Sequence, residues 1–224
     1  MLILGIDTSG KVASVSLMQD DVILATDTMC TTLTHSQTIM PMCKALVTRC
    51  GKSFDDLDRI AVCSGPGSYT GLRIGIAGAK AMCFALGIGC NGVSTLESLA
   101  NNVVDCNLGV CSIIKARQDL VYCAVFKANG GTLTRLTPDA ILSTNVLNDT
   151  LLSLDGNFVL VGDGAKEFYT NYSNSKYLLS SPHSRLQSAS SLCEVASKLP
   201  AITPQELQAT YLQPTKAEKD LLNK

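Results

Sequence analysis

One pattern opens the chain and then returns, and it restricts the fold more than any single motif. Residues 2–6 are a β-branched apolar run that ends at Asp7, a polar turn covers 7–11, and residues 12–17 alternate with period two. That is a hairpin with a buried face. A turn at 19–21 leads into 22–25, which predicts a three-stranded antiparallel meander. The order recurs with an apolar strand over 108–114, a turn over 115–119, a hairpin mate over 120–127 and a turn at Gly130 and Gly131. Two α/β units follow, 1–104 and 105–224. No linker-like stretch separates them, so they should share an interface.

Between the meanders lie helices. Over 36–50 apolar residues fall at Ile39, Met42, Cys43, Leu46, Val47 and Cys50, with Thr34 and Gln37 spaced as a capping box and Gly51 as a stop. Pro41 should kink this helix. Ser53 and Asp56 suggest a short capped turn before a strand over 59–63. A glycine-rich loop over 64–70 then leads into a helix over 71–86, for which Thr70 is the candidate cap. Gly75, Ala77, Gly78, Ala79 and Ala81 let that helix approach another backbone closely. A short strand over 91–93 precedes Ser94 and Glu97, the capping box of a helix reaching about residue 104. Beyond 137–138 the helical signals weaken. A buried strand at 158–161 ends in Gly162, Asp163 and Gly164, a helix covers 188–199, and the polar residues 216–224 are expected to fray.

Composition removes several classes of function. The 18 Lys+Arg and 19 Asp+Glu give a net charge of −1, so no broad basic surface holds nucleic acid and any such contact should be local. The ten cysteines contain no C-x-x-C pair and sit among core-type residues, which reads as buried thiols. His35 and His183 are the only histidines and have no metal-ligand spacing, so no metal site is expected. The N-terminus has no basic region ahead of its apolar run, and the longest apolar run, 81–90, is well below the ~18–20 residues that span a bilayer. A cytoplasmic protein without membrane contact is expected.

Two segments can carry chemistry. Gly65, Gly67, Ser68, Thr70 and Gly71 lie between a strand and a helix, where backbone N–H groups can meet an anion at the helix start. The glycine spacing fits neither a Walker A loop nor the Rossmann fingerprint. The same residues also suit a tight turn, with Arg73 as an anion clamp or a surface cation. Asp7, Thr8 and Ser9, expected to face outward, could position a hydrated metal and a phosphate or simply cap their own hairpin. His35 and Ser36 lack a nucleophile elbow and read as helix-start residues. Asp55, Asp56 and Asp58 read as a solvated turn, and His183 as surface.

Taken together, residues 3–9, His35 and Ser36 with Pro41, the run from Gly65 to Gly75 and the run from Gly92 to Glu97 resemble the TsaB (YeaZ) family closely over the first hundred or so residues. The similarity continues more loosely through Ala116, Arg117, Val121, Tyr122, Gly162, Gly164, Tyr211 and Leu212. Lys115 departs from it, since the family commonly has Asp before Ala-Arg. The resemblance implies an ASKHA fold, the actin-like and Hsp70-like architecture of two related halves of mixed sheet with flanking helices. It implies a non-catalytic scaffold or activator of the complex that transfers a threonylcarbamoyl group to the tRNA adenosine next to the anticodon. The catalytic partner would be a TsaD-type subunit, which carries histidine metal ligands that this chain lacks. A TsaE-type ATPase would join the pair, the chain alone would form a homodimer, and tRNA would be met only through the complex. No cofactor is then required by the chain itself, with ATP or ADP expected at the subunit interface and near Asp7, Thr8, Ser9 and the glycine-rich loop. The expected partner surface is the helix pair 36–50 and 71–86, through His35, Ile39, Met42, Cys43, Leu46, Leu72, Ile76, Ala77 and Lys80. Two other readings compete: a stand-alone ASKHA ATPase or phosphotransferase, and a metallo-peptidase, which the missing ligand cluster disfavours.

Overall fold

A computed structural model describes residues 1–30 and 33–213; the expected fraying of 216–224 lies outside them. The first half runs β1 (Leu2–Asp7), β2 (Ala13–Gln19), β3 (Val22–Met29), α1 (His35–Arg49), β4 (Arg59–Gly65), α2 (Tyr69–Leu86), β5 (Gly89–Ser94) and α3 (Thr95–Asn101). Its strands lie in the order β3-β2-β1-β4-β5. The meander is antiparallel, whereas β1–β4 and β4–β5 are parallel.

The second half repeats this with β6 (Gly109–Lys115), β7 (Leu120–Asn129), β8 (Thr132–Arg135), β9 (Ala140–Ser143), α4 (Thr144–Ser153), β10 (Phe158–Val161), α5 (Ala165–Asn171), β11 (Tyr177–Leu179), α6 (Pro182–Arg185) and α7 (Ala189–Ser197). Read outward from β6, the order β8-β7-β6-β10-β11 matches the first sheet position for position, with β9 added on β7. The repeated arrangement is the ASKHA architecture.

The last helix of each half covers the sheet of the other half. Leu96, Leu99 and Ala100 of α3 pack with Val110, Phe126 and Val159 of the second sheet, while Leu192, Cys193 and Val195 of α7 pack with Ile3, Ala61 and Val93 of the first. This exchange binds the halves together and removes any need for a linker. It also explains why β1 is one continuous apolar run. Ile3 faces α7 while Leu2, Leu4 and Ile6 face the core under α1 and α2, so every residue of β1 is buried.

Local signals place most of the ends. Thr34 and Gln37 form a reciprocal capping box on α1, and Ser53 and Asp56 do so on the short turn at 54–56. Two expectations are corrected. Ser68, not Thr70, caps α2, because its Oγ accepts the Gly71 N–H at 3.2 Å and the helix begins at Tyr69. Ser94 caps α3, but Glu97 pairs with Arg135 at 2.9 Å instead of closing the box, and α3 stops at Asn101. Beyond β5 the chain returns to the first sheet: Cys90 and Ile202 exchange backbone hydrogen bonds, and the Thr210 N–H donates to the Ser64 carbonyl at 2.7 Å.

All ten cysteines are free thiols. Seven are buried, Cys50 and Cys106 are half-buried, and Cys30, contrary to expectation, is exposed. Among the described residues no helix is long and apolar enough to cross a membrane.

Candidate functional site

The end of β1 and the loop after β4 lie against each other, and their contact replaces the outward-facing turn expected from the sequence. Asp7, Thr8 and Ser9 are all buried. Asp7 Oδ1 accepts hydrogen bonds from the Ser9 N–H at 2.9 Å and Ser9 Oγ at 2.6 Å, and Oδ2 accepts from the Cys63 thiol at 3.0 Å. Both carboxyl oxygens therefore meet donors of this chain. Burial pushes the Asp7 pKa upward against these hydrogen bonds, and burial together with the Asp7 charge raises that of Cys63.

Across the contact, Thr8 Oγ1 donates to the Gly71 carbonyl at 2.7 Å and the Ser68 N–H donates to the Ser9 carbonyl at 2.7 Å. Close approach explains two of the glycines. A Cβ on Gly67 would stand 2.4 Å from the Ser9 oxygen, and one on Gly71 would stand 2.0 Å from the Thr8 oxygen. A phosphate cradle needs free amides, yet those of Ser68 and Gly71 are already engaged within the protein. The loop packs against β1 and both Asp7 oxygens are engaged within the chain, while Gly67 and Ser68 still border open space. Thr70 and Arg73 stay exposed on the first turn of α2, and Gly65 is buried at the end of β4.

Beside the packed loops, a cleft of about 470 Å³ opens between the halves. It is lined by Ser9, Lys11, Ser68, Lys115, Arg117 and Gln213, among others. Lys115 ends β6 as Asp7 ends β1. Its N–H donates to Asp163 Oδ1 at 2.9 Å and its Nζ pairs with Glu167 at 2.5 Å, which raises the lysine pKa. The roles of Cys63, Lys11 and Gln213 were not foreseen. An apolar strand conceals the thiol, and no short-range signal brings residue 213 beside residue 117.

The chain is 34% identical over 167 residues to the Escherichia coli (strain K12) tRNA threonylcarbamoyladenosine biosynthesis protein TsaB, covering 73% of this chain and 72% of that protein. The chain belongs to the TsaB family. The Bacillus subtilis (strain 168) protein of the same name is 36% identical over 139 residues, a stretch that spans 62% of this chain and 61% of that protein. A family model described as TsaD, tRNA N6-adenosine threonylcarbamoyltransferase, matches residues 30–203. The TsaB fold is seen again in the solved structure of YeaZ from Pseudomonas aeruginosa, with a TM-score of 0.81 at 23% identity over 94% of this chain and 99% of that one.

Within this TsaB-type chain, most of the residues expected to form a partner surface are buried inside the chain itself. Ile39, Met42, Cys43 and Leu46 of α1 and Leu72 and Ile76 of α2 are buried in the chain's own core. An amphipathic helix lying on a sheet spends its apolar stripe there. His35 is half-buried, its Nε2 2.8 Å from the Gly10 carbonyl oxygen and its Nδ1 buried without a partner. The helix pair leaves Ala77 outside and Lys80 half-buried, beside the exposed Met40, Ala81 and Phe84, the last 56% accessible. Met40 lies against Gly78, so the small residues of α2 do meet α1. Among the described residues, no three His, Cys, Asp or Glu side chains gather as metal ligands would.

Proposed function

We propose that the chain is a non-catalytic scaffold or activator subunit in threonylcarbamoyl modification of tRNA and acts by pairing with a TsaD-type catalytic subunit. The observation that carries this reading is the packed loop pair. Asp7 is bonded to Ser9 and Cys63 while the glycine-rich loop is bonded to Thr8 and Ser9, which leaves an ASKHA frame suited to binding another protein rather than to phosphoryl transfer. The partner face is the exposed strip Met40, Ala77, Ala81 and Phe84, whose small and apolar side chains suit close helix-on-helix packing. A related subunit with the same fold can present a matching pair, and a second copy of this chain competes for the face when the partner is absent. In this reading the chain requires no cofactor of its own. ATP or ADP binds where the subunits meet, a TsaE-type ATPase joins the pair, tRNA engages the assembled complex, and the setting is cytoplasmic.

Sedimentation of the chain alone and mixed with its cell's TsaD-type subunit, with and without ATP, tests the proposal. A heavier one-to-one species that Ala77→Glu abolishes is the expected result. An unchanged sedimentation pattern in the mixture would remove the scaffold reading. The alternative, a stand-alone ATPase or phosphotransferase, draws on the polar cleft with Lys11, Lys115 and Arg117. It requires ATP turnover by the pure chain that Asp7→Ala abolishes.

A further inference from the structure

The last described residues and the start of α2 build a surface apart from the Met40–Phe84 strip. The rings of Tyr69 and Tyr211 stack with centroids 4.9 Å apart, and the Arg73 guanidinium lies 4.0 Å over the Tyr69 ring. Arg73 Nε also donates to the Tyr211 hydroxyl at 3.3 Å. Both tyrosines remain 40% exposed. The backbone fixes this stack in place, because the Thr210 N–H donates to the Ser64 carbonyl and Gly65, at φ +121°, leaves room for the Thr210 oxygen. Two residues on, Gln213 accepts a hydrogen bond from Arg117 at 3.5 Å and, with Arg117 and Lys11, lines the mouth of the cleft.

Charge gathers at the same place. Lys11 comes from the β1–β2 turn, Arg73 from α2 and Arg117 from the β6–β7 turn, so both halves contribute. All three are exposed, and none forms an ion pair among the described residues. Lys115 beside them is paired with Glu167, and Asp163 is the acid that faces the cleft. In a chain of net charge −1, Arg73 on the aromatic stack and Lys11 and Arg117 at the cleft mouth beside Gln213 form a local run of cations without ion pairs among the described residues.

Aromatic rings on which bases stack, next to cations that follow a backbone, are what single-stranded nucleic acid recognises. We infer that this platform binds a single-stranded stretch of RNA, with a base stacked on Tyr211 and phosphates held by Lys11, Arg73 and Arg117. The inference rests on the scaffold reading and deepens it, because the scaffold itself then touches the tRNA of the assembled complex. Tyrosine and arginine also favour protein contacts. The cations without acidic partners favour a polyanion here.

The test is the affinity of an unmodified tRNA transcript for the complex with the TsaD-type subunit, followed by fluorescence anisotropy over a salt series. Arg117→Ala combined with Tyr211→Ala should weaken binding about tenfold and flatten the logarithmic salt dependence by about 0.7, the share of one cation on a single strand. Sedimentation of the variant complex should be unchanged. Tyr211→Phe keeps the ring but loses the hydroxyl that holds Arg73, and should bind within about twofold of the parent. An RNA duplex of similar length should bind more weakly than the tRNA. Parent-like binding by the double variant, equal binding of the duplex, or tRNA loss caused by failed subunit assembly would each overturn the inference, the last making the platform a protein contact. If the parent chain does not assemble with the subunit, the scaffold reading fails separately. The same titration on the chain alone then decides the platform, with loss in the double variant supporting it and no difference overturning it.

Discussion

The loops after β4 and β10 occupy equivalent positions in two sheets of the same strand order, yet the strand ends they face differ in charge and burial. The first loop closes on Asp7, Thr8 and Ser9 through the Ser68–Ser9 and Thr8–Gly71 hydrogen bonds. The second closes on the end of β6 through the Gly164 N–H, which donates to the Ile113 carbonyl at 3.0 Å. In both, glycine permits backbone to rest on backbone. Asp7 is wholly buried among neutral donors, whereas Lys115 is exposed and ion-paired. The backbone packing is shared by both halves, and the strand ends differ, an acid at Asp7 and a cation at Lys115.

The sharpest way to break this equivalence is to add a methyl group to each loop. Gly71→Ala sets a Cβ 2.0 Å from the Thr8 carbonyl oxygen, and Gly162→Ala sets one 2.1 Å from the Ile113 oxygen at φ +102°. Neither backbone atom can move aside alone, so each variant should lose about 3 kcal/mol in urea unfolding. Gly164→Ala first meets the Ile113 Cγ2 methyl at 2.8 Å and should cost about 1 kcal/mol. Full stability in Gly162→Ala would show that only the first loop is packed in this way.

Asp7 provides the next test. Asp7→Ala strands the Ser9 N–H and hydroxyl in a buried place and should cost about 2 kcal/mol. Asp7→Asn keeps an acceptor for Ser9 and removes the charge. Because burial raises the native pKa of Asp7 above its unfolded value near ~3.9, the native state holds the proton more tightly. The stability from this group is therefore fully present below pH ~4 and is lost as pH rises through the raised native value. Urea midpoints of the parent should fall relative to those of Asp7→Asn over that interval. Parallel curves would mean that Asp7 does not titrate in this way.

Much of this comparison was legible in the sequence, and what was not has definite causes. The two meanders, α1, α2 and α7 showed themselves because one face of each is apolar with a clear period and because Thr34, Ser53 and Ser94 mark starts. In the second half, β9, α4, α5 and β11 were missed. Only Leu147 and Leu151 of α4 and Ala165 and Phe168 of α5 are buried, too thin a stripe to stand out. The inward turn of Asp7 was hidden for another reason. An acid in a polar turn looks solvated until its partners are known, and Cys63 is 56 residues away. The burial of Ile39, Met42 and Leu72 depended on which object the apolar stripe meets, a sheet or a partner, and periodicity is the same for both.

The smallest expected effect concerns the residue at which the two halves differ most visibly. Lys115 and Glu167 are bonded at 2.5 Å, but their side chains are 48% and 62% exposed, so water and salt screen the pair. Lys115→Ala should change stability by about 0.5 kcal/mol or less, since the N–H that donates to Asp163 is backbone and survives the substitution. Lys115→Asp removes the pair and sets a third carboxylate beside Asp163 and Glu167. Its cost should be about 1 kcal/mol at low salt and should shrink at high salt, because exposed like charges are screened within a Debye length. Urea unfolding of the parent and both variants at two ionic strengths reads this directly. A cost in Lys115→Asp that does not respond to salt would mean that the end of β6 is as closed to solvent as the end of β1, and the contrast between the two loops would fail at that point.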